Sequence, residues 1–178
     1  MVEWLAIWGV SAVSAFRPIL EDIAKNVAKD AAKSYVGKCF KNVFSVVYKE
    51  PLTKATGQAL KELLQLIEDE LIRADIEEER LKGWVPDVKQ FVHQDLVRDA
   101  ISALFLQSDY YLDPKIFITA WQQLDYPVTM PEGFSWPYVA KRFAAKVVAI
   151  CQSSTELQDT FASLAQSQNS QSLQELAG

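Results

Sequence analysis

Histidine occurs once in the 178 residues, cysteine twice and glycine six times, and these scarcities remove most catalytic repertoires at the outset. A structural or catalytic zinc site draws on Cys and His ligands at recognisable spacings, which His93, Cys39 and Cys151 cannot supply, so no metal is expected. His93 would also have to serve any Ser or Cys nucleophile alone, and no Gly-x-Ser-x-Gly elbow occurs. An ordinary surface or boundary position is expected for it. The only Gly-Lys pair is Gly37-Lys38, with Ala32 where the first glycine of a phosphate-binding loop belongs, so a nucleotide cradle is missing and no cofactor is expected. The chain is therefore not read as an enzyme.

A surplus of positive charge is absent too. With a net charge of −5 and a pI near 5.0, nucleic acid is excluded as the main partner, because phosphate binding needs excess Lys and Arg. Long apolar runs are also few. The oiliest stretch, residues 1–16, has Glu3 where a signal peptide carries basic residues, and Arg17-Pro18 end it short of the ~20 residues a bilayer span requires. It reads as a packed amphipathic helix. Both cysteines lie within apolar helical patterns, as free buried thiols do, which fits a reducing cytoplasm rather than a disulfide framework.

What is present is an ordinary globular balance, 49% hydrophobic and 23% charged residues, in a chain long enough to bury roughly 70% of its extended surface. One domain over residues 1–165 is expected, followed at 166–178 by a small, polar, repetitive segment that reads as a linker or frayed helix leading toward a further module.

Helical periodicity dominates. Trp4, Leu5, Trp8, Ala12, Ala15, Phe16, Ile19 and Ile23 share one face, with Pro18 marking either a kink or the start of a second helix. Ile23, Val27, Ala31, Tyr35, Cys39 and Val43 continue the stripe, which predicts one long spine helix from Ile19 to Tyr48, stopped by Glu50-Pro51. Pro51 opens the next helix, through Leu60, Leu63, Leu64, Ile67 and Leu71, and the two are predicted to pack as an antiparallel hairpin. Asp75 with Glu78 reads as a capping box for a connector helix closing on Gly83. Helical spacing continues over 86–94 and 95–106. Asp113-Pro114 caps another helix, residues 125–133 break all periodicity, Ser135 caps a helix with Pro137 in its first turn, and Ser153 with Glu156 forms a further capping box. No strand-like alternation survives. The fold class is thus all-α, a bundle of about seven or eight helices.

Two charge patterns and one aromatic pattern are candidates for contact. The acids Glu68, Asp69, Glu70, Asp75, Glu77, Glu78 and Glu79 read as a solvated face. Lys25, Lys29 and Lys33, with Lys41, recur along one edge of the spine, where they solvate it and pair with the acidic neighbour or dock an acidic partner or anionic lipid. Trp4, Trp8, Trp84, Trp121 and Trp136 all lie at or near helix ends or on apolar stripes, where large side chains most often complete a core, though some can instead anchor an interface. Trp4 and Trp8, one turn apart, are the candidate anchors of an interface.

Taken together, Trp4 with Trp8-Gly9, Phe16-Arg17-Pro18-Ile19-Leu20, Glu50-Pro51-Leu52-x-Lys54-Ala55-x-Gly57-x-Ala59-Leu60-Lys61-Glu62, Trp121-Gln122-Gln123-Leu124, Pro131-Glu132-Gly133-Phe134-Ser135-Trp136 and Val139-Ala140-Lys141 resemble the N-terminal helical domain that precedes a NACHT module in cyanobacterial STAND NTPases, bacterial relatives of NLR receptors. The quoted residues are packing and capping groups, so they specify a fold family better than an activity. The resemblance implies a non-catalytic signalling and protein-interaction module acting in antiphage defence. The ATPase would belong to an attached NACHT module, and contacts would be with a partner or with copies of the chain. The alternative is a membrane-active effector whose apolar N-terminal helix inserts after oligomerisation, motivated by the charge-poor stretch from Trp4 to Phe16 beside a lysine-bearing helix.

Overall fold

The computed structural model describes residues 15–27, 34–40, 49–107 and 111–177, with backbone alone for 24–27, 49 and 167–177. Its elements are α1 (Arg17–Val27), α2 (Tyr35–Cys39), α3 (Lys49–Arg73), a 3-10 helix (Glu78–Trp84), α4 (Val85–Val92), α5 (Asp95–Leu106), α6 (Pro114–Gln122), α7 (Trp136–Gln152) and α8 (Thr155–Ala177). No strand occurs among the described residues, and the all-α bundle expected from periodicity is what forms.

The long rod of the bundle is α3, about 37 Å at ~1.5 Å per residue. Pro51 sits in its first turn, where a missing N–H removes no intrahelical bond. Leu52, Ala55, Ala59, Leu60, Leu63, Leu64, Ile67 and Leu71 are all fully buried along it. Its main partner is α7, whose inward stripe Trp136, Val139, Ala140, Phe143, Val147 and Ile150 recurs at helical spacing and is likewise buried. The two run antiparallel, since the Glu70 end of α3 meets Ser135 while Glu62 meets Lys146. From there α7 also packs on α5, α6 and α8, so α3 and α7 form the pair around which the other helices gather.

Two aromatic clusters tie the ends. Trp84 stacks on Trp121 at 6.1 Å, and Phe91, Phe117, Trp121 and Phe134 all contact the Trp136 ring at 4.8 to 6.0 Å. This cluster joins the connector, α4, α6 and α7. The second stacks Phe105 on Phe161 at 4.7 Å with Phe40 tilted against both, joining α2, α5 and α8. Offset and edge-on rings of this kind add to the area they bury.

The spine predicted from Ile19 to Tyr48 is corrected by two local geometries. Ser34 is extended (ψ 160°) and its Oγ accepts from the Gly37 N–H at 3.1 Å, so a new helix begins at Tyr35. Phe40 leaves helical geometry at φ −117°, ψ 47°. The hydrophobic phase survives the break because Ile23, Tyr35 and Cys39 stay inward on both sides of it. Among the described residues the long antiparallel pairing is made by α3 with α7.

Asp75 is a stop rather than a start. At φ 69° it occupies the left-handed position after α3, with its N–H donating to Ile72 O and the Ile76 N–H to Leu71 O, both at 3.0 Å. This is a Schellman ending. Glu77 precedes the connector without a side-chain cap, and Gly83 lies within a 3-10 helix that runs to Trp84 and straight into α4. Pro18 stands at the second position of α1, which resolves the kink alternative for the described part of that segment. Asp113 and Ser135 cap as expected, accepting from Lys115 N at 3.0 Å and Tyr138 N at 3.2 Å. The last cap moves by one residue: Ser154 accepts from Leu157 N at 3.1 Å, whereas Ser153 donates back to Ile150 O. Helical backbone then continues to Ala177 through the segment expected to be linker or frayed helix.

Candidate interaction surface

Of the residues singled out in the sequence, Trp4, Trp8, Lys29, Lys33 and Lys41 lie outside the described residues, as does the side chain of Lys25, whose backbone belongs to α1. Gly37 is a buried helical residue with its N–H taken by Ser34, which is not the geometry of a phosphate cradle. Trp84, Trp121 and Trp136 are core residues. Cys39 is buried and Cys151 half-buried, both free thiols, and burial pushes the Cys151 thiol up to about 11. Three or more His, Cys, Asp or Glu positioned to hold a metal ion do not come together among the described residues.

His93 follows α4 at a helix end, exposed overall but edge-on to Tyr35 at 5.5 Å. Burial of that ring, reinforced by the Arg98 and Lys89 cations, lowers its pKa from 6.5. Tyr35 itself is buried and donates from its hydroxyl to Val92 O at 2.7 Å, pinning α2 to the last turn of α4. Burial raises its pKa well above 10.0. The Tyr35 hydroxyl spends its donor on the Val92 carbonyl and its ring packs on His93, which is a packing role.

The acidic run is not uniformly a solvated face, which corrects the sequence reading. Glu68 and Glu70 are buried, at 4% and 1% exposure. Glu70 sits three residues beyond Ile67 and seven beyond Leu63, on the inward stripe, and that register is the signal that could have placed it inside. Its carboxylate accepts from Arg73 Nε and from the Ser135 N–H at 3.2 Å. Arg73 in turn donates to Gly133 O at 2.9 Å. One carboxylate and one guanidinium thereby clamp the end of α3 to the residues leading into α7. Gly133, at φ 95°, makes the turn with the Cβ of Ala74 facing it.

The rest of this connection is held as firmly. Trp121 Nε1 donates to Val128 O at 3.0 Å, and the Val128 N–H donates to Asp87 Oδ2 at 3.0 Å. Between these ties Tyr126 stands 97% exposed with φ 53°. Beyond them, Tyr138 lies on the outer face of α7 with the guanidiniums of Arg142 and Arg73 at 5.7 and 6.0 Å from its ring centre. Ile72 and Val128 are exposed hydrophobics of the same region. A shallow groove of about 330 Å³ follows the α3 and α7 seam, lined by Lys61, Glu62, Lys146 and Ser153 among others.

Such a surface can bind by stacking, apolar contact and ion pairing, and the fold that carries it defines a class: an all-helical packing module. No helix among the described residues is long and apolar enough to cross a membrane. The family model NACHT N-terminal Helical domain 2 matches residues 23–177, and the chain belongs to that family. This agrees with the resemblance carried by the packing and capping motifs. No curated protein and no solved structure matches the chain.

Proposed function

We propose that the chain is the non-catalytic signalling module of a NACHT-type NTPase, relaying assembly of the attached NTPase to a protein partner or to further copies of itself. The observation that carries this reading is the family match over residues 23–177. Its support in the fold is that two buried groups, Tyr35 and Glu70, spend their hydrogen bonds on joining one helix to another. The domain is taken as residues 1–165, with the polar end of α8 leading toward the NTPase. Action in the cytoplasm rests on the cysteine pattern, and action in antiphage defence and in a cyanobacterial host on the motif resemblance. Trp4, Trp8 and the lysines Lys25, Lys29 and Lys33 are proposed as contact residues on sequence pattern alone.

The test is removal of this chain from the NACHT protein that carries it, with nucleotide hydrolysis and downstream response measured on the same material. Hydrolysis should persist and the response should stop. Loss of hydrolysis with an intact response would reject the reading.

A further inference from the structure

We infer that the end of the bundle formed by α3, the acidic connector and the first turns of α7 is a self-complementary face that pairs with the same face of a second copy of the chain. The inference deepens the reading of the chain as an interaction module and rests on it.

Three observations converge there. First, α7 carries Lys141, Arg142 and Lys146 and no acid along its 17 residues, in a chain whose net charge is −5. Lys141 and Arg142 stand beside Tyr138 on the outer face, one turn along the helix. Second, the segment that follows Arg73 exposes four acids, Asp75, Glu77, Glu78 and Glu79, against two cations, Arg80 and Lys82, so its acidic side is the stretch 75–79. No ion pair ties these acids to Lys141 or Arg142 among the described residues. Third, apolar surface lies with the charges: Tyr138 is 45% and Ile72 39% exposed, and Arg73, beside Ile72, reaches over the Tyr138 ring.

Opposite charges at one end, with no ion pair between them among the described residues, favour a second copy as the occupant. A two-fold axis through the patch sets the basic side of each copy against the acidic side of the other, with the apolar residues meeting between them. Face-to-face contact through α7 alone would oppose like charges, so the acidic connector is required. The Glu70, Arg73 and Gly133 clamp holds the two sides in fixed relation, which lowers the ordering cost of association.

The test is sedimentation of the 178-residue chain over a concentration series at low and high salt, using wild type, K141E/R142E and E78K/E79K. All four positions are exposed, so circular dichroism should report unchanged helix in each variant. Wild type should show a monomer–dimer equilibrium that weakens as the Debye length falls from about 30 Å at 0.01 M to about 3 Å at 1 M salt. Each variant alone should bind itself at least about tenfold more weakly, because reversal turns attraction into repulsion on both sides of the axis. An equimolar mixture of the two variants should recover the dimer, since every reversed contact then meets its opposite. A monomeric wild type, variants that dimerise undiminished, or a mixture that fails to recover would each overturn the pairing. A monomer in this experiment leaves the response measured in the NACHT protein as a separate outcome, so the two readings fail distinguishably.

Discussion

The carboxylate of Glu70 and the backbone N–H of Ser135 lie 3.2 Å apart, joining the end of α3 to the cap of α7 across 65 positions of sequence. The same carboxylate holds Arg73, which reaches Gly133 O, so the relative placement of the two central helices depends on a buried acid.

Replacing Glu70 with Ala should lower stability by about 1–3 kcal/mol, the range for stranding a buried hydrogen-bonding partner. Asp69→Ala, an exposed neighbour bonded to Gln65, should change stability by no more than about 0.5 kcal/mol. Urea unfolding of both variants checks the contrast. Equal losses would mean that the acid run acts as a single charged face, as its composition suggests.

Among the described residues two side chains occupy left-handed backbone, Asp75 at φ 69° and Tyr126 at φ 53°. A Cβ is unfavourable there by about 1–2 kcal/mol for most residues and by less for Asp. Tyr126→Gly should therefore raise the unfolding midpoint, by no more than this range once the extra freedom of unfolded glycine is subtracted. Asp75→Gly should raise it less, and Asp75→Val should lower it. Thermal melts of the three variants give the order.

Stability should respond to pH at both ends. The pKa of His93 is lowered from 6.5 in the fold, so the unfolded chain binds more protons in that window and stability falls as pH drops through 6.5. The pKa of Tyr35 is raised above 10.0, so the folded chain holds the extra proton and stability is lost as pH rises past 10. His93→Gln should flatten the first limb and Tyr35→Phe the second, read as urea midpoints across a pH series. Tyr35→Phe should also cost about 1 kcal/mol at neutral pH through the bond to Val92 O.

Much of the architecture was legible because it rests on period and punctuation. The caps at Asp113 and Ser135, the break over residues 125–133 and the burial of Trp84, Trp121 and Trp136 all follow from local pattern. The break at Ser34 was not, because periodicity reports which face is apolar and stays in phase across a cap. Asp75 was misplaced because an acid followed three residues later by Glu78 looks like a helix start, whereas the left-handed turn needs knowledge of where α3 ends. Ser153 has the capping-box spacing to Glu156 and Ser154 does not, yet the hydrogen bonds put the cap at Ser154. The candidate surface was the least legible part: Glu70 looked like one of several acids, and the Arg73, Gly133 and Tyr138 cluster depends on contacts between distant segments.

Core packing sets the scale for these effects. Trp136 is ringed by Phe91, Phe117, Trp121 and Phe134, so Trp136→Ala should cost about 3–5 kcal/mol. That is a large share of the roughly 5–15 kcal/mol a domain has, and calorimetry should show a much lower or missing transition. An exposed change such as Val148→Ala should leave the transition within the error of measurement.

The central claim is that this chain acts through contact and carries no ligand chemistry of its own. Thermal unfolding of the isolated chain with increasing magnesium-ATP, magnesium-GTP or zinc tests it most directly, because a ligand that binds only the folded state raises the midpoint in proportion to the logarithm of its excess over Kd. The account predicts an unchanged midpoint at every concentration; a saturable rise, or release of phosphate by the purified chain, would contradict it.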